Sequence, residues 1–443
     1  MIFKGIRARL EWVACLIRLP SDRLEPAGRV GKNTVWLLCA RLGSQGLMLV
    51  FSLVIAARLG EAGLGAYAFM TAVVFLGNVF TSFGTDMLIL RAVAAARDVS
   101  LIPTALILQL ILSVFFITLV FVVGSVLPNQ SRDGVLGLQV FSLALIPMAF
   151  YTVFSAALRG YERMDSFMWL NLLQVLAQLG LVWAFIRPGS SLLTLAALLL
   201  CAQTAAALLA AYFYLTRLPA ASLPGEISYG AMIHMLNAAA PLAFLSLLKV
   251  LYQKINVFML SVMAGAEVTG HYSAALRPVE ALQVGHVALL GALFPVMARS
   301  NAGRRSGKPH SKDLFSLAWG LLLVAGGVIA AGLFLSATPL VNLLFGPEFT
   351  PAIPALRLLA WTLIPFSVNI YLSSELLSAG QDRKVAFALS ISLLLLFSLN
   401  LAWIPRWGLL GASLAAFAAE AVQAGIFIYL SRPPADEFSQ LPR

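Results

Sequence analysis

Charge is scarce in this chain. Of its 443 residues only 11% are Asp, Glu, Lys or Arg, and acids are the scarcer kind, 19 against 30 basic residues. A soluble protein of this size could not cover its surface with so few polar groups. Cysteine is nearly absent too. Cys15, Cys39 and Cys201 are odd in number and lack framework spacing, so no disulfide is expected. There is no Gly-rich loop ending in Lys-Ser or Lys-Thr, which excludes the phosphate cradle of an ATP-driven pump. No paired-His or Cys cluster offers a metal centre, and no cofactor is implied. Long polar insertions are missing as well. The longest break, 300–313, is a short run of Arg, Lys, Gly and Ser, which leaves no room for a catalytic outer domain.

Apolar residues fill the chain instead, at 60% with a mean hydropathy of +0.90. A window of about 19 residues picks out twelve candidate spans. In the first half they are 34–57, 66–88, 101–127, 137–158, 167–186 and 192–214. In the second they are 236–263, 274–297, 314–335, 353–377, 385–404 and 409–430. The short alternating pattern of barrel strands is absent, so helices must satisfy the backbone. The expected fold class is all-α, a polytopic membrane protein.

Orientation follows from the cations, because Lys and Arg in short loops stay on the cytoplasmic side. With the N-terminus inside, 21 of the 30 basic residues fall in the N-terminal tail, the even-numbered breaks and the C-terminal tail, against 6 on the opposite side. Both termini are therefore expected on the cytoplasmic side of the membrane. The net charge of +11 reads as an orientation signal with affinity for anionic membrane lipids, and needs no nucleic acid. Segment 1–33 places Phe3, Ile6, Leu10, Val13 and Ile17 at steps of three and four among basic residues, the pattern of an interfacial helix. The expected organisation is that segment, a first lobe over 34–216, a linker at 217–231 carrying Pro219, Pro224 and Gly225, a second lobe over 232–431, and a tail at 432–443.

A short fingerprint recurs. Gly60, Gly65 and Tyr67 reappear as Gly265, Gly270 and Tyr272, each copy between the first and second long apolar runs of its half. Six spans separate the copies, so the halves enter the bilayer in the same sense, as parallel repeats about an axis along the membrane normal.

Polar residues inside spans are expensive and mark partners, cavities or water. Arg41, Ser44, Gln45 and Ser52 share a stripe of the first span. Ser246, Lys249, Gln253 and Asn256 share one on the seventh, with Lys254 well off it and expected to pair elsewhere or snorkel outward. Arg277 and Glu280 stand three apart on the eighth and are able to touch. A cavity between halves would be lined by these three stripes. Asp86 and Arg91 are expected to form a structural pair, while Glu375 and Glu420 are isolated acids and candidate proton or sodium sites.

Motifs along the chain give a resemblance. Asn33, Arg41-Leu42-Gly43, Ala57-Arg58-Leu59-Gly60, Gly65-Ala66-Tyr67 and Phe83-Gly84 open it. Leu158-Arg159-Gly160-Tyr161-Glu162-Arg163, Gly270-His271-Tyr272, Phe294-Pro295 and Leu344-Phe345-Gly346-Pro347-Glu348-Phe349 follow, with Gly408-Leu409-Leu410-Gly411-Ala412 near the end. In this order they resemble the polysaccharide-transporter members of the multidrug/oligosaccharidyl-lipid/polysaccharide exporter superfamily.

The resemblance implies two six-helix lobes around a central cavity, with alternating access. It implies a flippase that moves an undecaprenyl-pyrophosphate-linked oligosaccharide, an O-antigen or exopolysaccharide repeat unit, to the outer leaflet, alongside polymerase or export machinery. Its cationic cavity residues carry over best onto Arg41 and Arg277. Rival expectations are a multidrug/cation antiporter of the same superfamily and a membrane-embedded polymerase or glycosyltransferase. The first should hold acids in its first-half cavity, where this chain has almost none, and the second clustered carboxylates.

Overall fold

The computed structural model describes the backbone over residues 24–218, 229–305 and 312–431, and side chains over 41–218, 230–284 and 323–431. Residues 1–23 of the expected interfacial segment, with Cys15, most of the linker, the core of the 300–313 loop and the C-terminal tail lie outside the described residues, while 24–33 are the helical start of the first element below.

Among the described residues twelve α-helices follow one another, with no strand. They are α1 (Leu24–Ser82), α2 (Thr85–Ala96), α3 (Leu101–Gly124), α4 (Arg132–Ser142), α5 (Leu145–Gly160), α6 (Met164–Phe185) and α7 (Leu192–Arg217) in the first half. In the second are α8 (Tyr229–Arg305), α9 (Lys312–Leu344), α10 (Ala352–Ala360), α11 (Leu363–Ser378) and α12 (Asp382–Leu430). Eight stretches among the described residues are long and apolar enough to cross a membrane, nine when α10 and α11, bent by 43°, count as one. The chain is thus a multi-pass membrane protein.

Three of those stretches are not single rods. Helix α1 breaks at Gly60 (φ 67°, ψ −168°) and α8 at Gly265 (φ 87°, ψ 179°), the same backbone state at repeat-related positions and one that only glycine adopts at no steric cost. Each break reverses the chain. Phe51 and Tyr67 bring their ring centroids to 5.3 Å, where a continuous helix would hold the two residues about 24 Å apart. Asn256 likewise reaches the Tyr272 hydroxyl at 2.8 Å across Gly265. Helix α12 doubles back at Gly408, since Lys384 Nζ donates to the Leu430 carbonyl at 3.3 Å.

Two sequence expectations shift in detail. The expected span 66–88 is interrupted at Phe83 and Gly84, both at positive φ, and 137–158 begins earlier and is split between α4 and α5. The N-termini of α4 and α7 are capped by Ser131 and Ser191, whose hydroxyls accept from the Gly134 and Thr194 amides.

Packing divides by half. Ile89, Val93, Leu158, Leu170 and Tyr214 anchor a core in the first half; Leu372, Val385, Ala388 and Phe427 anchor another in the second. A third core joins the two, with Phe69 meeting Phe258 edge-on at 6.2 Å. The halves meet closely at the end of the bundle that carries Gly60 and Gly265, here termed the glycine end. There Asn129 and Gln130, in the turn before α4, donate to the carbonyls of Val262 and Ser261 on α8.

Candidate functional site

The reversal at Gly265 lays the two arms of α8 side by side, so Lys254 on the ascending arm faces Arg277 and Glu280 on the returning one. Glu280 bridges two cations. Its Oε2 accepts from Arg277 Nη1 at 2.9 Å, and its Oε1 lies 3.5 Å from Lys254 Nζ. The expected contact between Arg277 and Glu280 is therefore present, and Lys254, off the polar stripe, takes the pairing role. All three side chains are mostly buried, at 17% to 24% exposure, and they line a small recess. The opposite wall is Ala68 and Thr71, from the second arm of α1. The site thus lies between the halves, with two cations against one acid. Arg277 Nε is buried without a hydrogen-bond partner, so its guanidinium is only part-satisfied by Glu280.

Arg41 and Lys249 are both exposed, and Lys249 sits within electrostatic reach of Arg41. Ser246 and Gln253 are exposed on the same arm. Ser44 and Gln45 are half-buried, Ser44 donating to the Arg41 carbonyl at 3.1 Å.

Two residues expected to line the cavity do not. Ser52 is fully buried and donates to the Met48 carbonyl at 2.9 Å, a bond satisfied within its own helix. Asn256 is buried in a chain in which Asn400 donates to it at 2.6 Å and it donates to Tyr272. That chain ties both arms of α8 to α12. The helical stripe correctly grouped these side chains by angle, but it carries no information on how close the neighbouring helix packs.

The acids also find partners that sequence spacing did not suggest. Asp86 lies 3.6 Å from Arg159 on α5, not paired with Arg91. Glu420, expected as an isolated acid, accepts a hydrogen bond from Asn369 Nδ2 on α11 and contacts Tyr252 on α8. It therefore belongs to a polar knot inside the second half. Glu375 is half-buried near Tyr371.

One cluster was missed. Glu61 and His271 meet across the halves at 2.6 Å, with Glu267 close by. All three lie inside the two fingerprint copies, so their meeting follows from the repeat packing against itself.

Comparison with known proteins agrees with this architecture. The sequence model described as "Polysaccharide biosynthesis protein" matches residues 30–301, and that described as "Lipid II flippase MurJ" matches residues 272–440. No curated protein matches the chain. Among solved structures, a multidrug resistance MATE family transporter of the MOP superfamily, in an inward-facing conformation, is 16% identical with a TM-score of 0.68, covering 93% of this chain and 96% of that one. An outward-facing conformation of such a transporter gives 17% identity, a TM-score of 0.66 and coverages of 93% and 97%. A MOP superfamily transporter from Pyrococcus furiosus, described as having a binding pocket of reverse polarity, gives 18%, 0.64, 93% and 97%. At such identities the solved structures share the fold alone. The first family match covers more than half of the chain, which accordingly belongs to the polysaccharide biosynthesis protein family, within the MOP superfamily of polysaccharide and lipid-linked flippases.

Proposed function

We propose that the chain flips an undecaprenyl-pyrophosphate-linked oligosaccharide, an O-antigen or exopolysaccharide repeat unit, from the cytoplasmic to the periplasmic leaflet of a bacterial inner membrane. Twelve spans, two six-helix lobes over 34–216 and 232–431, and cytoplasmic termini complete this reading. The observation that carries it is the recess between the halves, in which Lys254 and Arg277 share the single acid Glu280.

A pyrophosphate and a sugar bearing many hydroxyls cannot cross about 30 Å of hydrocarbon unaided, because each unpaired polar group costs several kcal/mol. A cationic path lets the head cross while the lipid tail stays in the bilayer. In the proposed orientation the glycine end is periplasmic, and the close contact there leaves the recess to be reached from the cytoplasmic side, where Arg41 and Lys249 are exposed. They would draw the anion in. Arg277 would then hold it through a two-pronged fork and Lys254 as a point charge, with Glu280 keeping both cations in place until the head group arrives. Rocking of the lobes would open the glycine end and release the head outside. No residue need react covalently. With no nucleotide site, the drive is assigned to a proton or sodium gradient read by Glu420 or Glu375, or to consumption of the product by polymerase and export machinery.

A multidrug antiporter is the second reading, favoured by the fold shared with MATE transporters. The sign of the recess argues against it, since a cationic drug would meet Lys254, Arg277, Arg41 and Lys249. Surface glycan restored in a deletion strain, normalised to inserted protein, tests the assignment. Arg277→Lys keeps the charge but loses the fork and should restore less than the unsubstituted chain, with Arg277→Gln restoring least. Full restoration by Arg277→Gln would refute the role given to this residue.

A further inference from the structure

We propose that Glu61, Glu267 and His271 bind a divalent transition-metal ion of the zinc type, which staples the two halves of the chain together at the glycine end. One donor atom from each residue lies within 4.8 Å of the other two. Glu267 and His271 stand four apart on one turn of α8, the spacing that puts two ligands on the same helix face. Glu61 arrives from α1, across the contact between the halves.

The cluster has the features of a metal site. His271 is buried, and its ring meets Phe349 edge-on at 5.9 Å, so its orientation is set by packing before any ion arrives. Glu267 is exposed, which gives the ion a route from solvent. One imidazole nitrogen and two carboxylates suit a borderline cation with bonds of about 2.0–2.2 Å, leaving a fourth corner for water. In that geometry neighbouring donors lie about 3.3 Å apart. The Glu61–His271 contact of 2.6 Å therefore opens by a small side-chain rotation to admit the ion.

The division of ligands gives the site its consequence. Two come from one half and one from the other, so the set is complete only while the halves touch at this end. A ligand that binds one conformation alone shifts the equilibrium toward it. Bound metal would hold the glycine end shut and slow any transport cycle that must open it, whatever the cargo.

The test uses the purified full-length chain and Zn²⁺ alone, with calorimetry for binding and amide hydrogen exchange for the two segments 58–66 and 262–272. The expected result is one saturable site, with exchange slowed in both segments together. Glu267→Gln, an exposed position that leaves the core intact, should weaken binding by roughly tenfold or more. Glu61→Gln should weaken it too and confine protection to 262–272. Absence of saturable binding would overturn the proposal, leaving Glu61 and His271 as a hydrogen-bonded pair. Protection limited to one segment in the unsubstituted chain, or unchanged affinity in Glu61→Gln, would equally overturn the staple.

Discussion

Gly65 and Gly270, repeat-related residues on opposite halves, make reciprocal backbone contacts: a Cβ on Gly65 would lie 1.8 Å from the Ala266 carbonyl oxygen, and one on Gly270 would lie 1.9 Å from that of Glu61. Ala266 and Glu61 are themselves repeat-related. The contact is therefore nearly symmetric about the axis between the halves, and neither position tolerates a side chain while the glycine end is closed.

Gly65→Ala and Gly270→Ala should each destabilise this conformation by about 1–3 kcal/mol, the usual range for overpacking a close contact. Gly180→Ala is the control. Nothing lies within 4 Å of a Cβ there, and the change should be neutral or stabilise by up to about 1 kcal/mol through helix propensity. Thermal unfolding followed by tryptophan fluorescence in detergent reads both.

Lys254 and Glu280 should be energetically coupled. Each side chain is 24% exposed at a separation of 3.5 Å, and removing either partner leaves a charge facing a partly dry recess. A double-mutant cycle of Lys254→Met and Glu280→Gln should give a coupling of about 0.5–3 kcal/mol in unfolding free energy. Additive effects would show that Glu280 serves Arg277 alone.

Glu420→Gln should keep the hydrogen bond from Asn369 but remove the ionisable carboxyl from the interior of the second half. Head-group binding is expected to persist, while an imposed proton or sodium gradient should accelerate flipping less than in the unsubstituted chain. Rates in proteoliposomes with and without the gradient measure this. An undiminished gradient response would exclude Glu420 as the coupling acid.

Much of the architecture is legible in the sequence because the lipid environment enforces it: hydropathy marks the spans, and the Gly60/Gly265 pair marks the reversals. The contact of Arg277 with Glu280 was also readable, being three residues apart on one helix. What sequence could not supply was contact between distant segments. Asp86 spends its charge on Arg159, Ser52 and Asn256 turn into tight packing, and Glu420 finds Asn369, all through side chains brought together only by helix packing. The Glu61–His271 meeting spans 210 positions. A signal for it did exist, since both residues lie inside the repeated fingerprint, but only the folded chain reveals that the two copies face each other.

The most direct measurement is transbilayer movement of a defined undecaprenyl-pyrophosphate-linked oligosaccharide in proteoliposomes, read by the access of an added lectin to the sugar, with export of a cationic dye measured in parallel. Unsubstituted protein should move the glycolipid and leave the dye in place. Arg277→Gln, inserted to the same level, should lose most of the glycolipid movement, with Arg277→Lys between the two. Dye export by the unsubstituted chain without glycolipid movement, or full glycolipid movement by Arg277→Gln, would contradict an anion-binding recess as the path of the head group.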